Sequence, residues 1–387
     1  MQFTVIQENL AKGLSIVTAA IAKRPSLQIL ANVLITAQDN KIRLTATDLE
    51  MGVVVHLPGK IETDGAITVP AKLLEDYVKT LPKTAAITLS IDAKTLTLKL
   101  KCGSSQSNFK GISADEYPAV PEADANTGMV VRAAALDEMI KQVIFAAARE
   151  DNRPILMGVS TRFKENTLTL AAADGYRLAI RTTELDAGVD EALNLIVPAV
   201  AYEELSKIIL RDEESRVYVS IPPGRNQIMF HTDVDKAGLI SVDMTCQLID
   251  GTYPDIEKII PKSHRTSTIV NANALLGICR QAEIFAREAS NTTLFKITPG
   301  ESELVPGTMV VQAQSQERGD NEGSIPAKIK GSGLEISFNV KYVMDVLGVI
   351  KEDDVILETN EASSACVVRP VNRPDFIHVV MPLSIPR

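Results

Sequence analysis

The sequence has no tryptophan, and aromatic residues make up only 4% of its 387 positions. A platform that stacks bases or sugars on indole is excluded, and Tyr or Phe offers few alternatives. Cysteine is also scarce. Cys102, Cys246, Cys279 and Cys366 lie far apart with no CxxC pair, so neither a zinc site nor a disulfide framework is expected. The thiols read as reduced. His56, His231, His264 and His378 show no metal-ligand spacing. The nearest grouping, His231 with Asp233 and Asp235, reads as a loop. No metal and no cofactor are therefore expected. Neither GxxxxGK[ST] nor GxGxxG occurs, which removes the common phosphate-cradling loops. No Ser, His and acid set stands out along the chain, although a triad assembled only in space stays open at this level. Asp353-Asp354 reads as a solvated turn.

A basic excess is missing too. Forty Lys and Arg face forty-nine Asp and Glu, for a formal charge of −9. Holding nucleic acid by bulk attraction needs clustered cations, so any DNA role must rest on a local basic surface or on topology. No apolar run approaches the ~18 residues of a membrane span. The opening MQFTVIQENL has no basic segment ahead of an apolar core. A cytoplasmic protein without membrane contact is the expectation.

What the sequence does contain is repetition. DNKIRLTATDLEMGVV (39–54) matches ENTLTLAAADGYRLAI (165–180), pairing Leu44 with Leu170 and Asp48 with Asp174. VPAKLLEDYVKTL from Val69 matches VPAVAYEELSKII from Val197, pairing Glu75 with Glu203 and Lys79 with Lys207. DEYPAV around Tyr117 matches GTYPDI around Tyr253. The order is kept and the offsets drift only by loop-sized amounts. A fainter third copy contributes IFAREAS from Ile284 (compare IFAAARED from Ile144), FNVKYVMDVLGVI from Phe338 and FIHVVMPL from Phe376. Three units result, at 1–127, 128–262 and 263–387.

Each unit opens with a helix: Leu10, Leu14, Val17 and Ile21 recur at helical spacing, as do Leu136, Met139, Ile140 and Val143. Strands follow, among them VLITAQ, KIRLTATD and GVVVHL. Alternation in TLTLKLKC (95–102) predicts a half-buried strand with Leu96, Leu98 and Leu100 on one face. A second helix starts at Pro70 or Pro198, where a missing N–H costs nothing. Two helices against many strands indicate an α+β fold with helices on one face of antiparallel sheets.

With the repeat in hand, KRPSLQILANVLI (23–35), ATDLEMGV (46–53), ADGYRLA (173–179), YPDIEKIIP (253–261), FNVKYVMDVL (338–347) and VVMPL (379–383) together resemble one family across essentially the whole chain: the beta subunit of bacterial DNA polymerase III, the sliding clamp. The resemblance implies a non-catalytic processivity factor of three clamp domains. Two chains would join head to tail as a homodimeric ring of six domains, sheets outside and two helices per domain inside. The ring would encircle double-stranded DNA without reading its sequence. Its implied partners are polymerase subunits, other proteins bearing a clamp-binding peptide, and a separate clamp loader that opens the ring.

Closure around DNA replaces affinity for it, which reconciles an acidic chain with a DNA partner, and the field inside can be positive while the outside is acidic. The helices supply the DNA-facing candidates: Lys12, Lys23, Arg24, Lys72, Lys79, Lys141, Arg149, Arg153, Lys207, Arg280 and Arg287. Any one alone could be a solvated surface charge. Arg153-Pro154 echoes Arg24-Pro25, suggesting equivalent loops at the rim of the hole. By resemblance, one half of a peptide cleft falls on Leu156, Ala173, Gly175, Arg177, Leu178, Pro254, Ile259, Val379 and Met381. The other half falls on Tyr176, Asn339, Tyr342, Pro382 and Leu383. The apolar side chains would take a partner's Leu or Phe anchors, Gly175 would allow close backbone approach, and Asn339 would bond the peptide's polar groups. Leu156, Ile259 and Val379 read equally well as core. Ala173 stands where the family usually has Thr, Tyr176 where familiar members have His, and Ser384–Arg387 extends the tail. Phe109, Leu275 and Leu276 carry over to the ring-closing interface, with intradomain core as the alternative.

A sequence-specific DNA reader would need a concentrated basic element reaching base edges, and none is present. A repeat scaffold that binds proteins alone is not excluded by the residues.

Overall fold

The computed structural model describes residues 1–21, 25, 27–123, 128–150, 152–222, 224, 226–302 and 305–383. Lys23, Arg24 and Ser384–Arg387 fall outside them.

The six α-helices among the described residues are α1 (Gln7–Val17), α2 (Ala71–Lys79), α3 (Ala133–Val143), α4 (Ala199–Ile208), α5 (Ala272–Ala286) and α6 (Val340–Leu347). They pack in pairs, α1 on α2, α3 on α4 and α5 on α6, so each unit has one pair, as the repeat implies. The expected apolar stripes are buried: Leu10, Leu14 and Val17 in α1, and Leu136, Met139, Ile140 and Val143 in α3. Ile21 falls just past the 3-10 turn Thr18–Ala20 that follows α1. Pro70 and Pro198 are N-caps of α2 and α4 and also close the strands Gly65–Pro70 and Leu193–Pro198, so one residue ends a ladder and starts a helix. Among the described residues, no helix is long and apolar enough to cross a membrane.

One strand is shorter than its pattern suggests. It spans Thr97–Cys102, with Leu98 and Leu100 buried. Leu96 belongs to the turn that reverses the chain after Asp92. It has a positive φ of 46° and is 41% exposed. Alternation alone does not show where the turn needs its residues.

The units are joined by their sheets. Strand Met51–Leu57 of the first unit pairs antiparallel with Ser241–Gln247 of the second, with Ser241 opposite His56 and Cys246 opposite Met51. Strand Arg177–Glu184 of the second pairs in the same way with Phe376–Val380 of the third, from Arg177 opposite Val380 to Arg181 opposite Phe376. In each joint, the strand after the first hairpin of one unit meets the last strand of the next. Apolar core therefore continues across the first joint, and the second is reinforced by Arg181, which reaches Asp375 and donates its Nε–H to Gln142 Oε1 at 2.8 Å. The same two strand positions remain over at the far ends. Ser105–Lys110 is the outermost strand of its five-stranded sheet, and Gly319–Ala327 has no partner on its outer side among the described residues.

Candidate functional site

The second joint carries a tight loop. Between strands Thr167–Ala173 and Arg177–Glu184, the Asp174 carboxylate accepts from the backbone N–H of Tyr176 (2.9 Å) and Arg177 (3.0 Å). This is an Asx turn, in which a short acidic side chain replaces a backbone acceptor. Gly175 completes it at φ 91°, a region that strains any residue with a Cβ. Beneath the loop, Leu178 faces Val379 across the joint, and both are 1% exposed. With Ala173 and Ile256 they form a small apolar cluster on which Tyr253 lies. The Ala173 N–H donates to the Tyr253 hydroxyl at 3.0 Å. Burial pushes that phenol up to about 12, so it stays neutral and able to accept. Leu178, Val379 and Ala173 are thus buried together beneath the loop. Ile259, Met381 and Pro254 are exposed and Leu156 is half-buried.

The other half is aromatic and charged. The Arg177 guanidinium carbon lies 4.5 Å from the Tyr342 ring centroid and 5.4 Å from that of Phe145. Arg177 also donates to Asp174 Oδ2 (3.0 Å) and the Phe145 carbonyl (2.6 Å) and reaches Asp345. Tyr176, 53% exposed, stacks on Tyr342 with centroids 6.5 Å apart. Residues 381–383 are tied down at this joint: Met381 N–H donates to the Tyr176 carbonyl and Leu383 N–H to the Ser337 carbonyl, each at 2.8 Å, with Pro382 half-buried between them. Asn339 accepts from Lys341 N–H as the N-cap of α6, so its side-chain oxygen already has a structural task.

Arg153 belongs here and not with the helix cations. Its guanidinium donates to the Asp174 carbonyl at 2.9 Å, and a Cβ on Gly175 would come within 2.7 Å of it.

The remaining cations are mostly paired on their own helices. Lys72 contacts Glu75 and Asp76, Lys79 contacts Glu75, Lys141 contacts Asp137, Lys207 contacts Glu204 at 2.8 Å, and Arg287 contacts Glu283 at 2.8 Å. Lys12 reaches the Val234 carbonyl across the first joint. Arg149 and Arg280 are exposed without an ion pair among the described residues. The six helices together carry seven basic and nine acidic side chains, so they hold no net positive charge. Phe109 is 4% exposed and packs edge-on against Tyr77; Leu275 is fully buried. Both are core of their own units in the single chain, and only Leu276, half-buried on α5, keeps a free flank.

Sequence reasoning missed Asp174, Tyr253, Phe145 and Asp345 as parts of the cleft. A signal existed for Asp174: its repeat partner Asp48 makes the same turn, accepting from the N–H of Glu50 (3.0 Å) and Met51 (2.7 Å).

Comparison with known proteins gives a consistent result. Residues 1–121, 130–255 and 257–384 match the family models for the N-terminal, central and C-terminal domains of the DNA polymerase III beta subunit. The beta sliding clamp of Pseudomonas putida is 31% identical over 390 residues, covering 100% of both chains. The crystal structure of the DNA polymerase sliding clamp from Bacillus subtilis superposes with a TM-score of 0.91 at 27% identity, covering 100% of each. The sliding clamp from Pseudomonas aeruginosa bound to griselimycin does so at 0.89 and 28%, again over 100% of each.

Proposed function

This chain belongs to the DNA polymerase III beta subunit family, and on that premise we propose how its three units act together. It is a sliding clamp of DNA replication, a non-catalytic processivity factor whose partners are DNA and the polymerase it holds there. Working on DNA, it belongs in our reading to the cytoplasm.

Two copies close a ring. The observation that carries this is the pair of leftover strands. Ser105–Lys110 and Gly319–Lys330 occupy the positions that make both internal joints, and among the described residues the outer edges of Ser105–Lys110 and Gly319–Ala327 lack strand partners. Exposed strand edges invite pairing. Gly319–Ala327 of one copy set against Ser105–Lys110 of the next repeats the joint geometry. Two such head-to-tail contacts close after two chains with twofold symmetry. Leu276 on α5 flanks this contact, as Lys12 on α1 flanks the first joint. The units 1–127, 128–262 and 263–387 are then the six domains of the ring, with helices towards the hole.

Retention is topological. The helix charges are already compensated, so the inner face does not grip phosphates tightly, and Arg149 and Arg280 supply light contacts that a sliding duplex can exchange. Polymerases and other proteins dock by a short peptide in the cleft. Met381 and Ile259 receive its apolar anchors over the floor of Leu178 and Val379, while Tyr176, Arg177 and Tyr342 hold its other end. The griselimycin complex of the relative supports a ligand site on this scaffold. A separate clamp loader supplies the opening energy. The test is retention on a nicked circular duplex: the loaded protein stays until the circle is cut and then leaves from the ends. Equal retention on linear DNA contradicts the mechanism.

A further inference from the structure

Two of the four histidines, far apart in the sequence, meet at the first joint. His56 lies on strand Met51–Leu57 of the first unit. Asp243 and His231 lie on neighbouring strands of the second, directly opposite each other in register. His56 Nε2 is 2.7 Å from Asp243 Oδ2, and His231 Nδ1 is 2.7 Å from Asp243 Oδ1. Glu122, from the segment that leads out of the first unit, brings Oε2 to 3.8 Å from His56 Nε2. One ligand atom each from His56, Glu122 and Asp243 falls within 4.8 Å of the others, and no other such cluster exists among the described residues. The group opens onto a cavity of about 390 Å³ lined by these residues and His231.

We propose that His56, Asp243 and Glu122 bind a divalent cation of the zinc class, with His231 orienting Asp243, and that the ion staples the first unit to the second. One imidazole nitrogen and two carboxylate oxygens suit zinc, which takes such ligands at about 2.0–2.2 Å. The ion replaces the proton shared by His56 and Asp243, and small side-chain shifts open their separation to that of two ligands on one metal. The His231 N–H on the second Asp243 oxygen is the outer-sphere bond that such carboxylates require. The cavity leaves room for water at the fourth position. Arg43 Nε, 3.1 Å from Glu122 Oε1, orients the third ligand while opposing the incoming charge. All four cysteines are buried, which leaves them poor competitors for the metal.

The test uses the full chain stripped with chelator. Zinc is titrated calorimetrically, and cobalt(II) is titrated with visible absorption as the reporter of coordination. The expected result is one ion per chain at micromolar affinity or tighter. Affinity falls at least tenfold in both His56→Gln and Glu122→Gln, whose circular dichroism matches the parent. Saturating zinc raises the melting temperature of the parent but not of the variants. Absence of stoichiometric uptake overturns the proposal, as does uptake that is unchanged in both variants.

Discussion

The Arg177 guanidinium lies 4.5 Å over the Tyr342 ring and so ties the second unit to the third across the cleft. Side-chain exposure of Arg177 is only 11%, and desolvation strengthens a cation–π contact to as much as ~2 kcal/mol. Tyr342→Ala is expected to weaken a labelled polymerase peptide by roughly 3- to 30-fold, read by fluorescence anisotropy. Tyr342→Phe, which keeps the ring, should stay within about twofold of the parent. Equal losses in both variants would place the effect on the hydroxyl instead.

The strap formed by the chain end makes a sharper separation. Replacing Met381 and Leu383 with Ala, or deleting 381–387, should abolish peptide binding and leave the dimer intact by light scattering. Neither Ser105–Lys110 nor Gly319–Lys330 includes these residues. Unchanged peptide affinity would remove the cleft assignment.

His378 gives a test of the joint itself. It is fully buried on strand Phe376–Val380, and among the described residues neither ring nitrogen has a hydrogen-bond partner. Its ring lies 5.5 Å from that of Phe145. Burial, assisted by the Arg177 charge, pushes its pKa down to about 3. The unfolded chain therefore takes up a proton near pH 6.5, where the folded chain does not. Stability present above that pH drains away as pH falls towards 3, by up to about 1.4 kcal/mol per unit. His378→Phe should raise stability at pH 7 by about 1–3 kcal/mol, because an unsatisfied buried polar group is removed. It should also flatten the dependence on pH between 6.5 and 4, measured by denaturant unfolding. A variant with the parent's slope would show that another group sets it.

Charge compensation on the helices predicts a graded response to substitution. Arg149→Ala and Arg280→Ala should each lower the slope of log affinity against log salt for a short duplex by up to about 0.9, the value for one lost phosphate contact. Lys79→Ala should change it less, since Glu75 already answers that ammonium. Anisotropy of a labelled duplex across a salt series distinguishes these outcomes.

The legible parts of this sequence were those with a local cause. Helical stripes such as Leu10, Leu14 and Val17 and the Pro70 and Pro198 starts mark helices by periodicity and cap chemistry, and both are local. Asp48 and Asp174 stood out as a repeat match because each forms the same turn, although the turn itself was not read. Leu96 was misplaced because a hairpin turn consumed it, which alternation does not encode. The contacts of Arg153 and His231 have no such local cause. Their partners, the Asp174 carbonyl and Asp243, are set by strand pairing and loop packing, so nearby sequence says little about them. Phe109 and Leu275 show the same limit, since the resemblance names a surface whereas the single chain buries them in cores.

The most direct measurement is an image of the purified particle by electron microscopy. Two copies should form a closed ring of six domains around a central hole wide enough for duplex DNA, with Ser105–Lys110 and Gly319–Lys330 meeting at both seams. A single-copy particle, or a dimer with no hole, would contradict it.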